Sequence, residues 1–332
     1  MINEVKTIAT NTITIELSDT KVAMALYGEH NANLNHLESK FDVNISDRGN
    51  VLTLSGRDAA QTEGIILKLI QKLSADAEYI SKSDIDDEIR FLKDKGKATM
   101  NDDSQNDNSS RQCIKVKRKK IEARSPTQAK YIQSLDSKDM VFGIGPAGTG
   151  KTYMAVAKAV SMFENKLVER MVFCRPAVEA GEKLGFLPGD MQDKIDPYLS
   201  PIYDALYDFL GKETAEKLLE KGDIEIAPLA FMRGRTLSDA CVILDEAQNT
   251  TTAQMKMFLS RMGDRSKMII TGDPDQTDLP IGHVSGLDEA IKILSGMEEV
   301  SFTRFTTEDV VRHHLVAKIL RAYDKYKVRP AS

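Results

Sequence analysis

The sequence predicts an α/β fold, a parallel sheet in the second half of the chain, preceded by a small α+β domain. Three observations carry this expectation. Short apolar runs at Asp139–Ile144, Cys241–Leu244 and Met268–Ile270 run straight into glycines or carboxylates. That is the pattern of strands buried on both faces with polar residues at their carboxyl ends. In the first third, apolar residues alternate along Thr12–Leu17 and then recur at helical spacing. Between the halves, residues 96–112 (GKATMNDDSQNDNSSRQ) have no apolar periodicity and read as a disordered linker. The predicted domains are therefore 1–95 and 113–332.

The first domain reads as follows. Thr12–Leu17 is a strand with Ile13, Ile15 and Leu17 on one face. Val22–Tyr27 and Ala32–Phe41 are short helices around Gly28, Glu29, His30 and Asn31. Val43–Ile45 and Val51–Leu54 form a hairpin across Asp47–Asn50, and Ala59–Leu73 is an amphipathic helix. A strand, two helices around a loop, a hairpin and a closing helix resemble a KH-like RNA-binding module, in which a G-x-x-G loop clamps the backbone. Here Asn31 stands at the second glycine and Glu29 places a negative charge in the loop.

Length and charge narrow the class. A chain of 332 residues can hold one large domain or two smaller ones. Its apolar runs are too short to cross a bilayer, and its first residues lack a basic stretch followed by an apolar one. Cys113, Cys174 and Cys241 form no C-x-x-C pair, so a disulfide scaffold or cysteine-rich zinc site is not expected. A cytoplasmic protein with no membrane partner is the expectation. The net charge of −5 is uneven: residues 1–112 hold 13 Lys and Arg against 19 Asp and Glu, the rest 32 against 31. One dense basic run, Lys115, Lys117, Arg118, Lys119, Lys120 and Arg124, is opposed only by Glu122. It reads either as a solvated strap between domains or as the main charge facing a nucleic acid.

The chemistry lies in the second domain. The strand Asp139–Ile144 leads into Gly145, Pro146, Ala147, Gly148, Thr149, Gly150, Lys151 and Thr152, a G-x-x-x-x-G-K-T P-loop. Its strand-before, helix-after context is present. The glycines let backbone N–H groups face phosphates, Lys151 reaches the β/γ-phosphates, and the Thr152 hydroxyl ligates magnesium. Cys241–Leu244 ends in Asp245 and Glu246, the first suited to orient magnesium and the second to activate water as general base. Thr271, Gly272, Asp273 and Gln276 form a G-D-x-x-Q pattern resembling motif III of superfamily 1 helicases, where the glutamine senses the γ-phosphate.

Together with Arg175–Gly189 (RPAVEAGEKLGFLPG) and Ile243–Gln248, these motifs resemble the longer bacterial members of the PhoH-like ATPase family, from about Ile13 to Tyr326. The resemblance implies a RecA-like P-loop NTPase core using ATP and magnesium. It implies a Q motif at Ser125–Gln128 whose Gln128 reads the adenine edge, and a C-terminal helix whose Arg312 contacts phosphates. It also implies RNA, single-stranded or ribosomal, and a metal-dependent endoribonuclease as partners.

The expected function is a magnesium-dependent ATPase coupled to RNA. Residues 113–332 hold one RecA-like core, so a ring, expected as a hexamer, would supply the second, with Arg312 acting in trans ahead of Arg233, Arg235 and Arg304. A GTP switch lacks its N-K-x-D element, because Asn165-Lys166 is followed by Leu-Val. The Asp-Glu and G-D-x-x-Q pairing argues for hydrolysis over a small-molecule kinase. The remaining alternative is an ATP-dependent assembly or regulatory scaffold for a ribonuclease, without helicase activity.

Overall fold

The computed structural model describes residues 2–9, 11–18, 20–75, 78–98, 112–176, 191–280 and 282–310, with backbone alone at 2–9, 75, 95–98 and 191–198. The chain divides into two compact units, 1–107 with 124–126, and 108–123 with 127–332. Of the expected linker, 96–98 continue a helix, 112 precedes a strand, and 99–111 lie outside the described residues.

In the N-terminal unit, strands β1 (Ile2–Ala9), β2 (Thr12–Leu17), β3 (Asn44–Arg48) and β4 (Val51–Ser55) form an antiparallel sheet in the order β1-β2-β4-β3. Helices α1 (Thr20–Tyr27), α2 (Ala32–Glu38), α3 (Ala59–Ala75) and α4 (Lys82–Ala98) complete the unit. Alternation decides which face of β2 and β4 is covered: Ile13, Ile15, Leu17, Leu52 and Leu54 are buried together with Ile65, Ile66, Leu69 and Ile70 of α3. The strand, two helices, hairpin and helix occur in the expected order. β1 and α4 are additions to the elements read from the sequence.

The C-terminal unit starts with a hairpin, β5 (Cys113–Val116) and β6 (Lys119–Glu122). The basic run is therefore an ordered hairpin and not an irregular strap. Ile114, Val116 and Ile121 are buried, so the alternation seats one face of the hairpin on the unit and turns the basic residues outward. Next come α5 (Pro126–Ser137), β7 (Met140–Ile144), α6 (Lys151–Glu164), β8 (Arg170–Arg175), α7 (Met191–Leu210), α8 (Lys212–Lys221) and β9 (Ile224–Pro228). The remainder is β10 (Ala240–Leu244), α9 (Thr252–Leu259), β11 (Lys267–Gly272), α10 (Gly286–Leu294) and β12 (Val300–Arg304).

Six of these strands form one parallel sheet, in the order β12-β7-β11-β10-β8-β9. Every residue of β10 and β11 is buried, which accounts for their unbroken apolar runs. β11 separates β7 from β10, so the carboxyl ends of three adjacent strands present the P-loop, Asp245 and Gly272 side by side. Among the described residues, no helix is long and apolar enough to cross a membrane.

Candidate nucleotide-binding site

The P-loop is built by two close approaches. Gly145 has φ 137°, donates its N–H to Gly272 O at 3.0 Å, and sits where any Cβ would collide with the Phe305 carbonyl oxygen. Phe305 in turn donates to Ile144 O at 2.7 Å, so the loop leaves the sheet held between the ends of β11 and β12. Gly150, at φ 85°, is the N-cap of α6, and the left-handed turn aims the helix's first N–H groups into the loop. Lys151 is 8% exposed, and its Nζ donates to Gly145 O at 2.5 Å and Pro146 O at 2.8 Å. The cation is thus fixed over the loop where phosphate charge would collect.

Two strand ends supply the oxygens. Asp245 Oδ1 accepts from Thr152 Oγ1 at 2.8 Å and from Thr271 Oγ1 at 2.6 Å. A threonine hydroxyl and a carboxylate at one point are hard oxygen donors, the kind magnesium takes together with waters and substrate phosphates. The donor set fits that ion.

Glu246 follows in left-handed backbone, φ 54° and ψ 39°, a conformation a glutamate holds at some cost. Its carboxylate is gripped from both sides. Arg175, at the end of β8, lies 3.3 Å from Oε1, and Gln248 Nε2 donates to Oε2. Gln248 is 1% exposed and reaches further: its Nε2 donates to Gln276 O at 3.3 Å, and its Oε1 accepts the Asp273 N–H at 3.0 Å. Asn249 donates to Asp278 Oδ2 at 3.3 Å and accepts from Asp278 N at 2.8 Å. The segment after β10 therefore clasps the turn after β11. Asn249 serves the clasp, while Thr251 caps α9 with Gln254 in a capping box.

Lys151, Thr152, Asp245, Glu246, Asp273 and Gln276 line one cleft of about 580 Å³. Pro201, Asp204, Ala205 and Asp208 of α7 line it too, a contribution the sequence did not show. Tyr153 OH donates to Asp208 Oδ2 at 2.5 Å, and Lys119 Nζ donates to the same oxygen at 2.7 Å. The Lys119 hydrogen bond holds the Asp208 carboxyl below its ordinary range, and Asp208 in turn raises Lys119. Burial, then the bond to Asp208, pushes the Tyr153 phenol up.

The remaining expected residues are not among those that line the cleft. Gln128 is buried on α5 behind the P-loop, and the residues lining the cleft do not include it. Arg312 lies outside the described residues. Arg235 is bound bidentately by Glu225 at 2.5 and 2.7 Å, which lowers the Glu225 carboxyl and commits this arginine to β9. Of the basic run, Lys115, Lys117, Arg118, Lys119 and Lys120 are all exposed, but Lys119 is tied to Asp208 and Lys120 pairs with Glu122 at 2.6 Å. Arg124 pairs with Asp87 at 3.2 Å.

The PhoH-like protein family matches residues 120–324. A PhoH-like protein of Bacillus subtilis (strain 168) is 48% identical over 319 residues, 93% of this chain and 96% of that protein. Protein PhoH of Escherichia coli (strain K12) is 47% identical over 205 residues, 61% of this chain and 58% of its own length. Among solved structures, the Sulfolobus solfataricus SWI2/SNF2 ATPase core in complex with dsDNA matches with TM-score 0.32 and 15% identity. That match covers 53% of this chain and 44% of that one.

Proposed function

The chain belongs to the PhoH-like protein family, a family of P-loop NTPases, and from that membership and the cleft's geometry we propose that it hydrolyses ATP with magnesium and couples turnover to RNA. The observation that carries the hydrolytic reading is the position of Glu246, a carboxylate held on both oxygens in the cleft that contains Lys151 and Asp245. A base held in one orientation beside a phosphate site suits activation of an attacking water.

In this reading each residue has a distinct task. The backbone of Gly145–Gly150 and the start of α6 cradle the phosphates, and Lys151 neutralises the β/γ-phosphate oxygens. Thr152 and Asp245 would hold magnesium, which neutralises charge between the β- and γ-phosphates when bound. Glu246 takes the proton of the attacking water. Gln276, which lines the same cleft, senses the γ-phosphate, and Gln248, bonded to Glu246 and to the Gln276 carbonyl, keeps base and sensor together. Arg312 from a neighbouring subunit would close the site in a ring.

RNA would meet the outward face of the hairpin β5–β6, where Lys115, Lys117 and Arg118 are exposed. The test is ATP turnover by the full chain with and without single-stranded RNA. Several-fold stimulation supports the coupled reading. Robust turnover indifferent to RNA leaves an ATPase and removes the RNA role, and no turnover in either condition returns the protein to the scaffold reading.

A further inference from the structure

The helix α5 buries one stripe, Gln128, Tyr131, Ile132 and Leu135, at the i, i+3, i+4 and i+7 spacing of a core-facing helix. Three of these are apolar or aromatic, and the first is an amide. A buried amide costs free energy unless its polar atoms find partners, so a glutamine on this stripe requires a specific one. Gln128 is 4% exposed, and its Nε2 donates to Thr149 O at 2.9 Å. The same nitrogen would lie 3.3 Å from a Cβ placed on Gly150, so it also rests against the residue that caps α6. Tyr131, one turn on, packs under Gly143 of β7, the strand that feeds the loop. The amide thus meets the P-loop from the sheet side, and the residues that line the cleft do not include it.

We propose that Gln128 is a positioning residue of the P-loop, fixing the Thr149–Gly150 peptide against α5, and that it does not read the nucleotide base. The inference rests on the nucleotide-site reading above and deepens it. Phosphate capture depends on Gln128 whatever base the phosphate chain carries. The carbonyl of Thr149 faces backwards because Gln128 holds it there, which leaves the N–H groups of the following residues pointing into the cradle. Loss of the donor frees that peptide to rotate and weakens every ligand carrying a phosphate chain, whatever its base.

The experiment compares ADP with inorganic tripolyphosphate, which has no base, binding to the full chain by calorimetry. Two variants remove the donor: Gln128→Glu keeps the shape and turns an oxygen on Thr149 O, while Gln128→Met keeps the bulk without charge. We expect either variant to weaken ADP and tripolyphosphate by the same factor, about tenfold for the removal of one buried hydrogen bond. In turnover, KM for ATP and for GTP should rise together with kcat retained, because Asp245 and Glu246 are untouched. The melting temperature without ligand serves as the fold control, and Gln128→Met is the variant to read if Gln128→Glu melts early. Weakened ADP with unchanged tripolyphosphate would overturn the proposal and make Gln128 a base reader. Unchanged binding of both would overturn it as well. A wild-type chain that binds neither ligand would bring down the nucleotide-site reading itself, an outcome separate from the other two.

Discussion

Gly145–Gly150 leads into α6 and Gly28–Asn31 leads towards α2, so each unit of the molecule carries a glycine-bearing loop ahead of a helix. The resemblance ends there. The first loop opens a helix of 14 residues, holds Lys151 over its carbonyls and faces Asp245 and Glu246 across a cleft. The second opens a helix of 7 residues through His30 and Asn31, both in left-handed backbone at φ 50° and 59°. Its polar side chains stitch the fold together. Asn31 donates to Asp47 Oδ1 at 2.9 Å, and Asn33 donates to Leu26 O and Ile80 O at 2.9 and 2.8 Å. Exposed Glu29 and Asp47 put negative charge where a phosphate would approach. A glycine before a helix makes an anion site only when the helix is long enough to lend its dipole and a cation sits over the loop.

The sharpest way to break this contrast is at the cation. Lys151→Ala should abolish ATP turnover and weaken nucleotide binding, whereas His30→Ala in the other loop should leave both unchanged. Steady-state kinetics of the two variants decides it. Next in size is the clasp. Gln248→Ala frees one oxygen of Glu246 and the Asp273 N–H together, and kcat should fall roughly 10²-fold with KM nearly constant, the usual size of a small misplacement at the reacting centre. A rise in KM alone would show that Gln248 serves binding and not alignment.

A smaller effect separates the two units as RNA surfaces. Changing Lys115, Lys117 and Arg118 together to Gln should flatten the salt dependence of RNA affinity, by a log–log slope of ~0.7 for each phosphate no longer neutralised. Glu29→Gln in the N-terminal loop should leave that slope alone, and the reverse pattern would move the RNA surface to the N-terminal unit. The smallest effect belongs to Asp208, whose carboxyl is held below its ordinary range by Lys119. A depressed carboxylate contributes stability above its unfolded pKa of ~3.9 and loses it as pH falls through the lower folded value. Asp208→Asn should therefore cost at most about 1 kcal/mol near neutrality, the scale of a half-exposed pair, and nothing in strong acid. Urea melts at both pH values measure it.

The two units also differ in how much of them could be read from residues alone. β7, β10 and β11 were legible because strands covered on both faces are continuous apolar runs, and the P-loop glycines mark the turn. α4 was not: Ile85 and Ile89 are buried, but the charged residues of KSDIDDEIRFLKDKGKA hide that stripe. The basic run was visible as charge and hidden as structure, since Ile114, Val116 and Ile121 alternate over strands of only four residues each. At the site, Lys151, Thr152, Asp245 and Glu246 announce themselves by local pattern. The Gln248–Asp273 bond and the Arg175–Glu246 pair join segments distant in sequence, so only the folded sheet brings them together. Gln128 was legible as a candidate, but its direction was set by α5, which no local motif encodes.

Everything proposed for the cleft turns on Glu246 acting as the base of a hydrolytic site preorganised by its neighbours. The direct measurement is single-turnover ATP hydrolysis by Glu246→Gln, with nucleotide binding measured on the same sample. The variant should retain ATP while turnover falls by about 10²–10⁴-fold, since only the water-activating group is lost. Hydrolysis at the wild-type rate with ATP bound normally would contradict it, and Asp273, at the end of β11, would become the candidate base.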